Sequence, residues 1–409
     1  TRIYDQFSYK EQLTNQRSLG NASSISLDLT PLNQVMSTSS EAIGGSIDRF
    51  YQAVNGIADN PSDIGLRNIA LSQASVLAND FNNLNDNLDQ LEKSTNGEIE
   101  QIANKISQIS LELAKMNEQI LQNRDLTQAG QPNDLLDKRD QLITELGEYT
   151  SVNTVQDANG VMTVMIGSGT TLVAGITPLT VGVVAGDPDP KQTQLKLIGP
   201  NSTVALNGSK MGGALAAKLE YRDEHVTKAR SELNRLSMAV SDTLNQAQSQ
   251  GLDLNGKQGL DIFTDINTTA LMEGRVLAPS KNNGTVSASV EITDVSLLTT
   301  DEYQVKYDGV NYVMTNMNTM SSTVLTLTPP NRYDSGQGFD FVIDSGAPVT
   351  DDVFVIRPGE NSAALMKVTL TSELGIAASS AVEVKTSDNN VSDGFMNITE
   401  VYDPEAARN

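Results

Sequence analysis

The longest regular pattern in the chain is an apolar repeat over residues 77–120. Apolar side chains recur there at alternating intervals of three and four positions, which places them along one face of a helix. Two consecutive four-residue steps around Thr95 form a stutter in this repeat. The pattern predicts a helix from about Ser62 to Gln122, roughly 90 Å long at the α-helical rise. The repeat consists of Leu77, Phe81, Leu84, Leu88, Leu91, Thr95, Ile99, Ile102, Ile106, Ile109, Leu113, Met116 and Ile120.

Shorter apolar patterns predict three further helices. One covers residues 39–60 and ends before Pro61, which cannot continue it. A second covers 133–147, with Asn133 as N-cap and Gly147 at its end. A third spans 211–251. Its apolar stripe is Met211, Leu215, Leu219, Val226, Ala229, Leu233, Leu236, Val240 and Leu244.

Other regions alternate with the period of β-strands. The run VMTVMIGSGTTLVAG within residues 150–206 predicts a hairpin, and from about residue 270 short alternating runs follow one another at turn-marked intervals. Asp308-Gly309 between two such runs indicates a second hairpin. A small antiparallel sandwich or barrel is expected there.

Together these patterns predict an α+β protein: an elongated, coiled-coil-like helical rod with inserted and appended antiparallel β modules. The predicted division is 1–150 for the first part of the rod, 151–208 for a small β insert, 209–268 for the second part of the rod, and 269–400 for an outer β-rich domain. Because the chain opens without methionine, we interpret it as a fragment that lacks flanking terminal segments.

Composition narrows the possible partners. The formal charge of −23 argues against binding to nucleic acid or to an anionic membrane surface, since both require clustered cations. No stretch is apolar enough to cross a bilayer, so no membrane insertion is expected. Cysteine is absent, which excludes disulfides and thiolate sites. Only 4% of residues are aromatic, which favours extended parts with thin cores.

A search for catalytic or metal-binding residues finds no constellation. The single histidine, His225, is interpreted as a helix-flank or interface residue, and one histidine without cysteine rules out ordinary zinc sites. The run DLNGKQGLDIF begins like a calcium loop, but Gly256 comes too early and no Glu closes it. The sequence therefore predicts no enzyme, no cofactor and no metal.

Several stretches together resemble the FlgK-type family of bacterial flagellar hook-associated proteins. They are FYQAVNGIADNPSDIGLRNIALSQASVLANDFNNL, which includes Arg67, the run NDLLDKRDQLITELG, and the segment from GGALAAKLEYRDEHV to GLDIF, which includes Asn245. YQVKYDGVNYVMT and GAPVTDDVFVIRP resemble the family's β insert more weakly, and Asp351 stands where the family more often has Gly. In the second stretch Asn133, Leu135, Asp137, Arg139 and Asp140 match the family pattern.

The resemblance implies a structural component of the flagellum, located outside the cell after export through the flagellar secretion channel. It implies an adaptor ring between the hook protein and the second hook-associated junction protein, and an export chaperone that binds the missing C-terminal segment. Asp137, Arg139 and Asp140 are expected to form a polar network that orients a helix turn. The residues expected to matter for structure or assembly are Leu84, Leu88, Leu91, Ile99, Ile102, Ile106, Ile109, Asn133, Leu135, Asp137, Arg139, Asp140, Leu233 and Leu236.

Three other interpretations remain open at this point. A surface adhesin or carbohydrate-binding β module on a helical stalk would use exposed aromatic residues, for which Tyr303, Tyr307 and Tyr312 are the candidates. A polysaccharide-cleaving enzyme would need a carboxylate pair in a cleft. Another axial protein, such as a flagellin or hook subunit, fits the motifs at 133–142 and 250–263 less well.

Overall fold

A computed structural model describes residues 6–123 and 133–380 of the chain. The residues fall into two compact units. Unit 1 comprises Thr1–Gln34 and Asp89–Thr227, and unit 2 comprises Val35–Leu88 and Lys228–Asn409. Each is described below by itself.

The helices begin and end close to the predicted positions, with one large exception. The first helix starts at Gln6 instead of near residue 39 and contains Pro31, so the prediction of a short helix there is wrong at its N-terminal end. The third helix continues past Gly147 to Tyr149. A π-helical segment, Tyr221–Val226, separates the fourth and fifth helices. The helices are α1 Gln6–Asp59, α2 Ile64–Asn123, α3 Asn133–Tyr149, α4 Gly213–Glu220, α5 Thr227–Ser249 and α6 Thr269–Gly274.

Seven strands form the β insert of unit 1. They make two antiparallel sheets, ordered β1-β2-β3-β4 and β5-β6-β7. The predicted hairpin is confirmed as the pairing of β2 with β3, in which Ile166 faces Thr170. The strands are β1 Val152–Gln156, β2 Met162–Ile166, β3 Thr170–Ala174, β4 Thr177–Pro178, β5 Thr180–Val184, β6 Gln194–Ile198 and β7 Thr203–Ala205.

The core of unit 1 is shared between the insert and the helices. Ile99, Ile106 and Ile109 of α2 are at most 2% exposed and lie in one apolar cluster with Val164 and Leu172 of the insert. The apolar repeat of α2 therefore covers the sheets as well as neighbouring helices. Where α4 begins, Gly213 has a φ of +62°, and a Cβ there would lie 2.5 Å from the carbonyl carbon of Tyr149, so only glycine fits.

Unit 2 contains an antiparallel sandwich. Its two sheets have the orders β10-β16-β15-β14 and β13-β12-β11-β17-β9, and a separate two-stranded pair joins β18 to β8. The predicted Asp308-Gly309 hairpin is confirmed between β11 and β12, with Tyr307 facing Tyr312. The strands are β8 Gly251–Leu252, β9 Val276–Leu277, β10 Ser287–Ile292, β11 Tyr303–Tyr307, β12 Tyr312–Asn316, β13 Ser322–Val324, β14 Thr326–Thr328, β15 Arg332–Asp334, β16 Phe339–Ser345, β17 Val353–Ile356 and β18 Ser379–Ser380.

The sandwich core is rich in aromatic side chains. Tyr312 packs against Tyr333, Phe341 and Tyr307 with ring centroids 4.8 to 5.3 Å apart. The run TVLTLTPP divides at the buried Leu325 into β13 and β14, which belong to different sheets. The α+β class is confirmed.

Candidate assembly site

Polar residues on α2 bind the main chain of the insert in unit 1. Ser110 donates to the carbonyl of Leu179 at 2.7 Å, and Ser107 accepts from the N–H of Val181 at 2.8 Å. Asn117 is 1% exposed; its Nδ2 donates to the carbonyls of Met162 and Gly175, and its Oδ1 accepts from the N–H of Met162. These side chains flank the apolar face and fix which strand lies over it.

A buried arginine in the π-helical segment holds a second part of the insert. Arg222 Nη1 donates to the side chain of Asn96 at 2.8 Å and to Oγ1 of Thr193 at 2.7 Å. The same guanidinium pairs with the adjacent Asp223 at 2.7 Å. π-Helical turns re-aim side chains within a continuing helix. Here the turn is where Arg222 reaches the loop before β6.

Three asparagines of unit 2 each bind both main-chain groups of one residue, an arrangement we call an asparagine clamp. In each, Nδ2 donates to a carbonyl and Oδ1 accepts from the N–H of the same residue, which reproduces the bonding of a β-ladder pair. Asn117 of unit 1 makes the same clamp on Met162. The unit 2 clamps are Asn245 on Phe263, Asn267 on Ile292 and Asn282 on Val353.

Two fully buried arginines of unit 2 bind backbone carbonyls. Arg67 Nε donates to the carbonyl of Pro61 at 2.7 Å, and its Nη1 donates to the carbonyl of Ile376. Arg275 donates to the carbonyls of Ile266 and Val290. Burial lowers the pKa of Arg275 to about 10, which still leaves it charged at neutral pH. Each guanidinium thus satisfies carbonyls from separate chain segments.

The matched motif at the start of α3 is split between buried and exposed positions. Arg139 is 3% exposed and its Nη1 donates to the carbonyl of Gly160 in the β1–β2 turn at 2.9 Å, while its Nε lies 3.6 Å from Asp140 Oδ1. The hydroxyl of Tyr9 contacts the carbonyl of Asp140. Asp137 is exposed. The side chain of Asn133, the predicted N-cap, lies outside the described residues.

The apolar residues singled out from the sequence differ in exposure. Leu84, Leu88 and Leu233 are buried within unit 2, and Ile99, Ile106 and Ile109 within unit 1. Leu91, Ile102 and Leu135 are half-buried. Leu236 is 45% exposed, so its assignment to the buried stripe of the fifth helix is wrong. The buried face of α5 beside Leu236 includes two polar residues: Asn234 accepts from the N–H of Ala363, and Ser237 donates to the carbonyl of Ser362.

A charged cluster links helices within unit 1. Lys218 Nζ binds Asp28 Oδ1 at 2.6 Å and also contacts Glu98. Burial alone would lower the pKa of Lys218, but the hydrogen bonds with Asp28 and Glu98 outweigh it and the pKa is raised. Burial raises the pKa of Asp28 despite its lysine partner. The cluster places the ammonium group of Lys218 between two carboxylates at a half-buried position of unit 1.

The residues that the sequence offered for ligand binding or catalysis lie in the protein core or at half-buried positions. Tyr303 and Tyr312 are each 2% exposed in the sandwich core, so they cannot form an aromatic ligand platform. His225 is half-buried in the π-helical segment. Across residues 6–123 and 133–380, no group of three His, Cys, Asp or Glu side chains could hold a metal ion. In the same ranges no helix has the length and hydropathy needed to cross a bilayer.

Two models of known protein families match separate parts of the chain. The model for the flagellar hook-associated protein FlgK helical domain matches residues 29–263, more than half of the chain. This chain belongs to the FlgK family. A second family model, the D2-like domain of flagellar hook-associated protein 1, matches residues 277–358.

Individual members of the FlgK family are similar over most of the chain. Flagellar hook-associated protein 1 of Escherichia coli K12 is 26% identical over 396 residues, covering 95% of this chain and 70% of that protein. The Salmonella typhimurium LT2 protein is 25% identical over 387 residues, covering 93% and 68%. The solved hook junction protein FlgK of Burkholderia pseudomallei superposes with a TM-score of 0.77 at 25% identity, covering 90% of this chain and 66% of that chain.

These matches confirm the family predicted from the sequence motifs. They support a structural component of the flagellum and give no support to the adhesin alternative. The chain spans about two thirds of the length of the relatives it matches. The clamps of Asn117 and Asn282 were not anticipated, because asparagine reads as a turn or surface residue in a single sequence. The one sequence signal for Asn117 is its position beside the apolar repeat of α2, where a polar side chain is buried and needs a hydrogen-bond partner.

Proposed function

We propose that this chain is an adaptor subunit that joins the hook to the filament, with neighbouring copies arranged as a ring. The family membership supports this role, because the matched relatives carry the names of hook-associated and hook junction proteins. The proposed partners are the flagellar hook protein on one side and the second junction protein on the other. Export through the flagellar channel and an export chaperone belong to the same proposal.

The observation that carries the proposal is the way side chains on helices hold the β insert of unit 1 by main-chain bonds. Asn117, Arg139 and Arg222 each bind carbonyl groups of the insert, and each is at most 3% exposed. Main-chain bonds fix position without depending on the sequence of the strand that is bound. A subunit that joins the hook to the filament needs its modules held at defined positions, and these contacts supply such a position for the insert.

The arrangement does not favour an enzyme. Within the described part of the chain, the groove that Asp242, Asp261 and Asp265 share is lined by no His, Lys or Arg side chain, and burial raises the pKa of both Asp242 and Asp261. An acid–base pair for glycoside cleavage needs two carboxylates whose environments differ. We therefore propose a structural role without catalysis.

Deletion of the full-length gene tests the role in cells. Cells without it should carry bare hooks by electron microscopy and should release flagellin into the medium as monomer, detected by immunoblot. Normal filaments and swimming in the deletion strain would refute the junction role.

Complementation with two variants of the matched motif sharpens the test. Arg139→Ala removes the bond to Gly160 and should cost about 2–3 kcal/mol, with shortened or shed filaments at elevated temperature. Lys138→Ala is the control in the same helix, because Lys138 is exposed beside Arg139 and its replacement should change stability by no more than about 0.5 kcal/mol. Equal loss of filaments in both variants would mean that the motif acts through its surface and not through the buried contact.

A further inference from the structure

Three charged side chains from three different helices meet in unit 1. Lys218 of α4 reaches Asp28 of α1, with 2.6 Å between Nζ and Oδ1, and it also contacts the carboxylate of Glu98 on α2. The lysine and aspartate side chains are only 12% and 13% exposed, whereas that of Glu98 is 42% exposed. Asp28 and Lys218 lie 190 positions apart in the sequence, so only the folded chain brings this amine and these two carboxyl groups together.

The ion pair between Lys218 and Asp28 leaves a buried polar atom unsatisfied. Among residues 6–123 and 133–380, Oδ2 of Asp28 and the hydroxyl of Tyr221 are buried and have no hydrogen-bond partner. Tyr221 is 2% exposed, and burial together with the charges of Asp28 and Glu98 raises its pKa to about 12. A buried carboxylate with an unpartnered oxygen is costly, so a state of Asp28 without the charge is favoured at this position.

Burial acts on Asp28 and Lys218 toward their neutral forms. It raises the pKa of Asp28, and it would lower the pKa of Lys218, although the hydrogen bonds with Asp28 and Glu98 raise the lysine value overall. Transfer of one proton from Nζ to the Asp28 carboxylate gives a neutral amine beside a neutral acid, without exchange with solvent. The neutral amine is a nucleophile, and the neutral acid is the electrophilic form of a carboxyl group.

We propose that Lys218 and Asp28 condense to form an intramolecular isopeptide bond, with Glu98 as the proton carrier. Nζ of Lys218 bonds to Cγ of Asp28, Glu98 accepts the proton that the nitrogen loses, and the same proton passes to the leaving hydroxyl. The bond between Cγ and that hydroxyl breaks and one water molecule departs, so no oxidant or cofactor is consumed. The product keeps one N–H for Glu98 and removes both buried charges of the pair.

Exposure distinguishes this pair from another lysine–carboxylate pair of unit 1. Nζ of Lys105 lies 2.7 Å from Oε1 of Glu145, but these side chains are 40% and 35% exposed. Water solvates both charges there, so the ion pair is not driven toward neutral forms. The pair of Lys105 and Glu145 is therefore expected to remain ionic.

An amide would give this chain a covalent link between helices that its composition otherwise lacks. The sequence has no cysteine, so no disulfide can join them. A bond between α1 and α4 closes a loop of 190 positions, which lowers the entropy of the unfolded chain and stabilises the fold. The bond needs the folded arrangement of three helices, so it forms after folding and only once per chain. It does not depend on the proposed junction role, since it is measured on the purified chain and either can fail without the other.

Intact-mass spectrometry of the purified 409-residue chain tests the proposal. The unaltered chain should be lighter than its sequence by one water molecule. Lys218→Arg keeps the positive charge but cannot form this amide, so it should have the full sequence mass. Lys105→Arg is the matched control, because it makes the same replacement at the more exposed pair and should keep the mass deficit. Circular dichroism should show both variants folded, with Lys218→Arg melting at the lower temperature.

Peptide mapping locates the bond. After denaturation and digestion with trypsin, residues 18–49 should stay joined to residues 211–222, because a modified Lys218 is no longer cleaved. Glu98→Gln should slow bond formation at least about a hundredfold, followed by mass after refolding.

Three results would overturn the assignment. An unaltered chain that keeps its full sequence mass after prolonged incubation in the folded state excludes the bond. A mass deficit that persists in Lys218→Arg, or a deficit without the joined peptides, shows that the water was lost elsewhere in the chain. Bond formation at an unchanged rate in Glu98→Gln excludes Glu98 as the proton carrier.

Discussion

The β insert of unit 1 and the sandwich of unit 2 are both antiparallel, yet they are stabilised in different ways. The buried cluster that contains the insert includes five residues of α2 from Ile99 to Leu113, together with α3 and α4 residues, and it has no fully buried aromatic ring. The sandwich cluster contains five aromatic residues from its own strands and only one buried residue from α5, Met238. An aromatic core lets a small module bury enough apolar surface by itself, whereas an aliphatic insert depends on the helices beneath it.

The hydrogen bonds follow the same difference. In the insert, Ser107, Ser110 and Asn117 reach the strands from a helix. In the sandwich, Asn282 reaches Val353 from a neighbouring loop of the same module, and Asp352 accepts main-chain bonds from Asn283 and Gly284. The insert is therefore held from outside, and the sandwich from within.

The largest difference between the insert and the sandwich is expected when each is produced as an isolated fragment and tested for folding. A fragment of residues 264–358 contains Ile266, Asn267, Arg275 and the aromatic cluster, and it should fold with dispersed amide resonances and a cooperative melt. A fragment of residues 151–208 loses the α2 face and should remain unfolded, as expected for about 60 residues without a core of their own. Amide dispersion in two-dimensional NMR spectra measures both. A folded insert fragment would refute the dependence on the helices.

The clamps of Asn117 and Asn282 should contribute different amounts to the free energy of unfolding of the intact chain. Asn117→Ala leaves three buried main-chain groups without their side-chain partner and should reduce the free energy of unfolding by about 3 kcal/mol. Asn282→Ala removes a half-buried clamp and should cost about 1 kcal/mol.

Urea unfolding followed by circular dichroism gives both values for the clamps. Asn104→Ala is the control on the same helix, because Asn104 is exposed, and its effect should stay within about 0.5 kcal/mol. Equal reductions in the free energy of unfolding for Asn117→Ala and Asn282→Ala would show that the clamp on α2 does not stabilise the insert more than the Asn282 clamp stabilises the sandwich.

The smallest change in the free energy of unfolding is expected from protonation or replacement of Asp352 in the sandwich. Burial would raise the pKa of Asp352, but main-chain donors at Val349, Gly284 and Asn283 outweigh it and the pKa is lowered. A carboxyl group with a depressed folded-state pKa stabilises the fold above its unfolded pKa of about 4, and this contribution is lost as the pH falls through the folded-state value. Asp352→Asn should therefore cost about 1 kcal/mol at pH 7.

The pH dependence itself provides the check on Asp352. The difference in unfolding free energy between the unaltered chain and Asp352→Asn should shrink as the pH is lowered below about 4. A difference that is constant from pH 7 to pH 2.5 would mean that the packing of this side chain matters and its charge does not.

Much of the fold follows from the sequence pattern. The three-and-four spacing predicted the buried positions of Leu84, Leu88, Ile99 and Ile106, and the Asp308-Gly309 turn predicted its hairpin. The pattern failed before residue 39, where α1 is already helical although its Leu19 and Leu27 are 64% and 70% exposed, and at Leu236, which is exposed. The division into the predicted domains stays a prediction, as do the roles assigned to the individual motif residues.

The sequence by itself determined the helices, the hairpins and the family, because each is encoded by residues a few positions apart. Only the tertiary structure decided what the polar side chains bind. Asn117 lies 45 positions from Met162 and Asn282 lies 71 from Val353, so nothing in the local spacing selects these partners. The physical reason is that periodicity states which face of an element is apolar, whereas a buried donor or acceptor takes its partner from whichever chain segment the folded core places against it.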